Sequence, residues 1–173
     1  EGPFVPFDKF PHTPDMMALD GTLWVEDGKP YMVYCHEWVE LGDGTMELIE
    51  LTPDLSKTIV PSKVLFNGSA PEWSTGMQPS PGSPRGYVTD GCYLYRTGKG
   101  KLLMIWSSFG KDGYAIGIAE SATGSVKGPW IQHEKPFFPD NGGHGMIFKT
   151  LSGDLCLILH QPNDPLGAER AHI

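Results

Sequence analysis

A chain of 173 residues with 39% hydrophobic and 20% charged side chains is long enough for one ordinary core and too apolar to be disordered. Its net charge is −8, and Lys and Arg are scattered rather than striped, which excludes a phosphate-binding surface and makes nucleic acid an unexpected partner. LLMIW (102–106), the longest pure apolar run near the middle, is far too short to cross a bilayer, so no membrane span is expected.

The 22 glycines and 16 prolines favour short strands and tight turns over long helices. The chain opens on EGPFVPF, with no initiator Met, signal peptide or capping pattern, and stops on ERAHI, which reads as the start of another strand. Both ends are read as cuts through a larger fold, with any compartment signal lying upstream.

Taken in order, the first feature is a strand pair in LDGTLWVEDGKPYMVYCHEW (19–38), followed by a strand in TMELIEL (45–51). A Pro/Ser/Gly-rich loop then fills 68–86; loops of that length usually carry function or move. A second strand pair lies in TDGCYLYRTGKGKLLMIWSSFG (89–110), with a further strand in GYAIGIAES (113–121). GPWIQ (128–132) resembles the opening GPFVP (2–6), and each is expected to finish a unit. The third strand pair is GHGMIFKTLSGDLCLILHQPN (143–163).

The three pairs are copies of one pattern: a polar residue, a glycine, an apolar strand, a glycine turn and a second apolar strand. The polar openers are Asp20, Asp90 and His144, followed by Gly21, Gly91 and Gly145, and the turn glycines are Gly28, Gly100 and Gly153. Glycine accepts the positive φ that tight hairpins demand. The openers are 70 and 54 residues apart, and a four-stranded unit of roughly 50 residues is the signature of a propeller blade. The expected fold is therefore all-β, with blades over 16–75 and 76–135, the start of another over 136–173, and the end of a preceding one in 1–15. A hairpin returns the chain to its starting face. Asp20 should thus share a face with His36, Glu37 and Trp38, Asp90 with Ser107, Ser108 and Phe109, and His144 with His160 and Gln161. Innermost strands line a propeller's channel, so the three openers should converge at one mouth.

The quoted motifs resemble glycoside hydrolase family 43, five-bladed propellers acting on arabinose- and xylose-containing glycans. LDGTLWVEDGKPYMVY is similar to that family's aspartate-led third-blade strand, TDGCYLYRTGKGKLLMIWSS to its fourth-blade strand, and GGHGMIF to its fifth-blade histidine. The resemblance covers the whole chain but only the C-terminal three-fifths of such a fold, about three blades. It implies an inverting glycosidase cleaving arabinosyl or xylosyl linkages of plant-type polysaccharides. Asp20 matches the aspartate that tunes and orients the acid, and Asp90 matches the general acid, where the family usually has Glu. His144 matches a channel histidine, and the resemblance implies calcium or ordered water beside it; no organic cofactor is implied. The first-blade general base has no counterpart here, and the resemblance favours an extracellular or periplasmic protein.

Inversion needs one carboxyl kept protonated, one ionised and room for a water between them; a third carboxylate nearby raises the acid's pKa. Glu37, on the shared face, is a substitute acid. His36 is expected at the substrate, and Trp38, Trp73 and Phe109 offer aromatic faces for sugar rings, whereas Trp24, Trp106 and Trp130 read as core. Cys35, Cys92 and Cys156 lie in or beside apolar runs and read as small hydrophobes, not as a disulfide frame or zinc site. The alternative is a propeller that binds carbohydrate without hydrolysing it. Three blades would leave sheet edges for the missing blades or a second chain to close.

Overall fold

A computed structural model describes residues 2–3, 12–59 and 61–173. The first sheet contains β1 (Ala18–Glu26), β2 (Lys29–His36), β3 (Thr45–Glu50) and β4 (Lys63–Asn67), with a single helical turn, α1 (Trp38–Leu41), between β2 and β3. The second contains β5 (Asp90–Arg96), β6 (Leu102–Gly110), β7 (Gly113–Ser121) and β8 (Trp130–Gln132). The third contains β9 (Gly143–Lys149), β10 (Leu155–Gln161) and β11 (Arg170–His172). Every pairing between these strands is antiparallel and between sequence neighbours. Up-and-down sheets of this kind, with β1 packed on β5 and β5 on β9, are propeller blades: the chain is an all-β partial propeller of three blades. The strand expected within GPFVP lies largely outside the described residues. Among those described, no helix is long and apolar enough to cross a membrane.

The turns explain why the repeat is visible in the sequence. β1 and β2 are joined through Asp27 and Gly28, both at positive φ (51° and 75°), the two-residue turn whose twist matches that of the strands. The other two hairpins share a longer turn held by threonine. The N–H of Lys101 donates to Thr97 Oγ1 (3.1 Å) and that of Asp154 to Thr150 Oγ1 (3.0 Å). Gly100 and Gly153 then close the same bond onto the threonine carbonyl, at 2.9 and 3.0 Å.

Strand alternation sorts the apolar residues between two inter-sheet cores. Tyr31, Val33 and Cys35 of β2 meet Leu102, Met104 and Trp106 of β6 between the first and second sheets. From the opposite side of the second sheet, Ile105 and Ile116 join Leu159 of β10. Trp106 is fully buried, its ring 5.2 Å from those of both Phe66 and Trp73. Trp73 therefore differs from its expected role as a sugar platform. Only 8% exposed, its indole packs on Trp106 and fills the space left by Gly117, where a Cβ would lie 2.1 Å from the ring. The three cysteines form no disulfide, and Cys35 and Cys92 are buried.

Trp106→Ala should cost about 3–5 kcal/mol in a denaturant titration, because its cavity would be bordered by two rigid aromatic rings. Ile131→Ala, at a side chain that is largely exposed, should stay within about 0.5 kcal/mol.

Candidate active site

Each innermost strand carries one extra residue against its neighbour near its start. Leu19 and Thr22 pair with Cys35 and Val33, Asp90 and Tyr93 with Ser107 and Ile105, and Gly143 and Met146 with His160 and Ile158. These are β-bulges at equivalent places in the three sheets. The first bulged residue is left-handed each time: Asp20 (φ 56°), Gly91 (φ 54°) and His144 (φ 51°). The structural equivalent of Asp20 and His144 is therefore Gly91, and Asp90 sits one residue earlier in its strand, a correction to the alignment by polar opener. Asp, His and Gly are all residue types that tolerate this conformation.

That offset brings the three strands together. A Cβ on Gly91 would lie 2.8 Å from the His144 Cα, so His144 packs directly on the bare glycine. Asp20 Oδ2 accepts the Gly91 N–H (2.9 Å) and the His144 Nε2–H (2.8 Å). The Tyr114 hydroxyl donates to Asp90 Oδ2 (2.6 Å) and lies 3.2 Å from His144 Nδ1. The His144 N–H donates to Ser107 Oγ (3.0 Å), and the Cys92 thiol donates to the Asp20 carbonyl (3.1 Å). Two rings flank Tyr114, His160 stacked at 5.7 Å and Phe109 edge-on at 5.1 Å.

The protonation states separate. Burial opposes ionisation of Asp20, but the bonds from His144 and Gly91 outweigh it and hold its pKa below the ordinary 3.8. The hydrogen bond to Asp20, then its charge, holds His144 above 6.5 against burial. Burial pushes Asp90 up against the Tyr114 bond and the charge of His144, and the Asp20 charge adds a smaller upward contribution. Glu37, directly after the end of β2, is also raised, by burial and then by the Asp90 charge, with a bond from the Val39 N–H opposing and the Asp20 charge adding a smaller upward contribution. Ionisation is thus eased at Asp20 and made harder at Asp90 and Glu37.

The remaining expected site residues are placed as follows. His36 has both nitrogens engaged, Nδ1 with Glu47 (3.1 Å) and Nε2 with Glu40 (2.9 Å). It points to the face of β2 opposite Val33 and Cys35, so it clasps β3 to α1 and has no free nitrogen for a sugar. Trp38 lies in α1 with its indole laid over Gly86, where a Cβ would fall 2.0 Å from the ring. It pins the end of the 68–86 loop beside Glu37. Phe109 is half-buried at the end of β6, edge-on to Tyr114.

A sequence model of glycosyl hydrolases family 43 matches residues 1–172. The chain belongs to that family. Among solved structures it is similar to an endo-arabinase from Bacteroides thetaiotaomicron VPI-5482, at 40% identity and a TM-score of 0.90 over 99% of this chain. It shares its fold with an endo-1,4-beta-xylanase from the same bacterium (22% identity, TM-score 0.72, 99% of this chain and 58% of that one). The same holds for an alpha-L-arabinofuranosidase from Lactobacillus brevis (21%, 0.65, 86% and 46%). The chain spans 60% of the length of the endo-arabinase. No curated protein matches it.

Among the family 43 positions, Asp20, Asp90 and His144 meet at one mouth with Glu37 beside them. With both nitrogens of His144 engaged, and no group of three or more His, Cys, Asp or Glu side chains gathered among the described residues to hold a metal, the implied calcium has no ligand set. No step below runs through it. Tyr114, which the sequence presents only as a strand residue, is the hub of the network. The β6–β7 hairpin signals it, since the return pairs Tyr114 with Phe109, already placed at the mouth.

The His144–Asp20 pair has a pH window. A raised histidine gives stability that is complete below 6.5 and lost as pH rises through its folded pKa. A lowered aspartate gives stability present above 3.8 and lost as pH falls through its folded pKa. NMR titration of the His144 ring should show a midpoint above 6.5 that moves down toward 6.5 in Asp20→Asn.

Proposed function

We propose that the protein containing this chain hydrolyses arabinosyl linkages, with xylosyl linkages the second substrate class, and inverts the anomeric centre. Asp90 is the general acid, Asp20 the ionised carboxylate that keeps it protonated, and Glu37 the third carboxyl at the mouth. The observation that carries this reading is the split between Asp20, held as an anion by Gly91 and His144, and Asp90, pushed up by burial and by that anion. Two neighbouring carboxyls driven apart in pKa are what acid catalysis at a glycosidic oxygen requires. The 40% identity to an endo-arabinase favours arabinose as the sugar. The carboxylate that would activate water is assigned to no residue of this chain.

In the reaction, Asp90 gives its proton to the departing glycosidic oxygen as the sugar acquires oxocarbenium character. Burial, with the Asp20 charge adding to it, favours the protonated form of Asp90 beforehand, and the exposed side of the mouth admits the glycan past Phe109 and Trp38. Glu37 has a claim to the same role, because burial and both aspartates raise it and it has one more methylene of reach.

With aryl and alkyl arabinosides and the full-length protein, Asp90→Asn should lower kcat on poor leaving groups by about 100-fold or more and spare good ones, since only the former need a proton. Glu37→Gln should show no such dependence; if the dependence follows Glu37 instead, the acid assignment passes to it. Asp20→Asn should lose most activity on both. A protein that binds arabino-oligosaccharides but generates no new reducing ends from them would establish the binding-only reading.

A further inference from the structure

We infer that Tyr114 is a positioning residue for the acid: its hydroxyl fixes which oxygen of Asp90 carries the transferable proton and supports the carboxylate left behind. The inference rests on Asp90 being the acid. Its ground is geometric. The hydroxyl donates to Asp90 Oδ2 at 2.6 Å, a short O–H···O bond that occupies that oxygen. A carboxyl whose Oδ2 accepts a proton bond carries its own proton on Oδ1, the oxygen left for the glycosidic bond. When that proton leaves, Asp90 becomes an anion and the Tyr114 bond strengthens at the moment charge develops.

Tyr114 is fixed well enough to do this. It is buried at 3% exposure, and Phe109 meets its ring edge-on at 5.1 Å while His160 stacks at 5.7 Å. Gly143 makes room for it, since a Cβ there would lie 2.1 Å from the ring. His144 Nδ1 lies 3.2 Å from the same hydroxyl, so the oxygen is held between the imidazole and Asp90, to which it donates. Aspartate is one methylene shorter than glutamate, so its proton has fewer orientations that reach substrate. A fixed donor on the other oxygen makes the productive one permanent.

The test is Tyr114→Phe in the full-length protein, which keeps the ring in its slot and removes only the hydroxyl. On arabinosides with poor leaving groups, kcat should fall about 10- to 100-fold, the range of a hydrogen bond to a charged group, with KM within about twofold. Good leaving groups should be nearly unaffected. In an Asp90→Asn background the same substitution should add less than about twofold, because the pair acts as a unit. Each variant is assayed well below its own unfolding midpoint, so loss of fold and loss of the donor are read separately. Equal losses on good and poor leaving groups, a loss confined to KM, or additive losses with Asp90→Asn would overturn the inference. If Asp90→Asn is itself blind to the leaving group, the acid assignment is what fails; if it is selective and Tyr114→Phe is not, only the role of Tyr114 falls.

Discussion

One carboxylate oxygen holds three sheets at a point. Asp20 Oδ2, on the first sheet, accepts a backbone N–H from the second and an imidazole N–H from the third. Two donors on one oxygen make a strongly favoured anion, and the bare Cα of Gly91 lets His144 approach closely enough to supply one of them. Mouth geometry and mouth charge come from the same three residues.

From that anion the other states follow. Its field adds to the burial that raises Asp90 and Glu37, and its bond raises His144. His144 Nδ1 in turn faces the Tyr114 hydroxyl, which donates to Asp90. Carboxylate, imidazole, phenol and carboxyl are thus linked in series around the mouth, and the links offset part of the cost of burying them so close together.

Much of this was legible in the sequence because it is written in local chemistry. Asp27-Gly28, Gly100 and Gly153 mark turns by what their backbones must do, and the hairpin return placed Glu37, Ser107, Phe109 and His160 near the openers. The register at the mouth was not legible. Aligning Asp20, Asp90 and His144 by identity misses the bulge by one residue in β5, because Gly91 occupies that place through its contact with His144, far away in the sequence. His36 and Trp73 were drawn toward the substrate by residue type, yet alternation along β2 turns one to Glu47 and Glu40 and a gap over Gly117 takes in the other. Tyr114 carried no motif at all; its role exists only in the assembled sheets.

The bulges have a consequence beyond aiming side chains. An extra residue takes backbone groups out of the strand ladder, and all three sheets spend those groups on a neighbouring sheet. The carbonyl of Asp20 takes the thiol of Cys92, the N–H of Gly91 takes Asp20, and the N–H of His144 takes Ser107. Bonds that would have lengthened each blade instead fasten blade to blade, at the end where the carboxyls gather. The groups that poise the chemistry are thereby fasteners of the assembly. Truncating the Asp20 side chain would strand a half-buried N–H of another sheet at a cost of about 1–3 kcal/mol, whereas the backbone N–H that the Glu37 carboxylate accepts, that of Val39, lies two residues along its own segment.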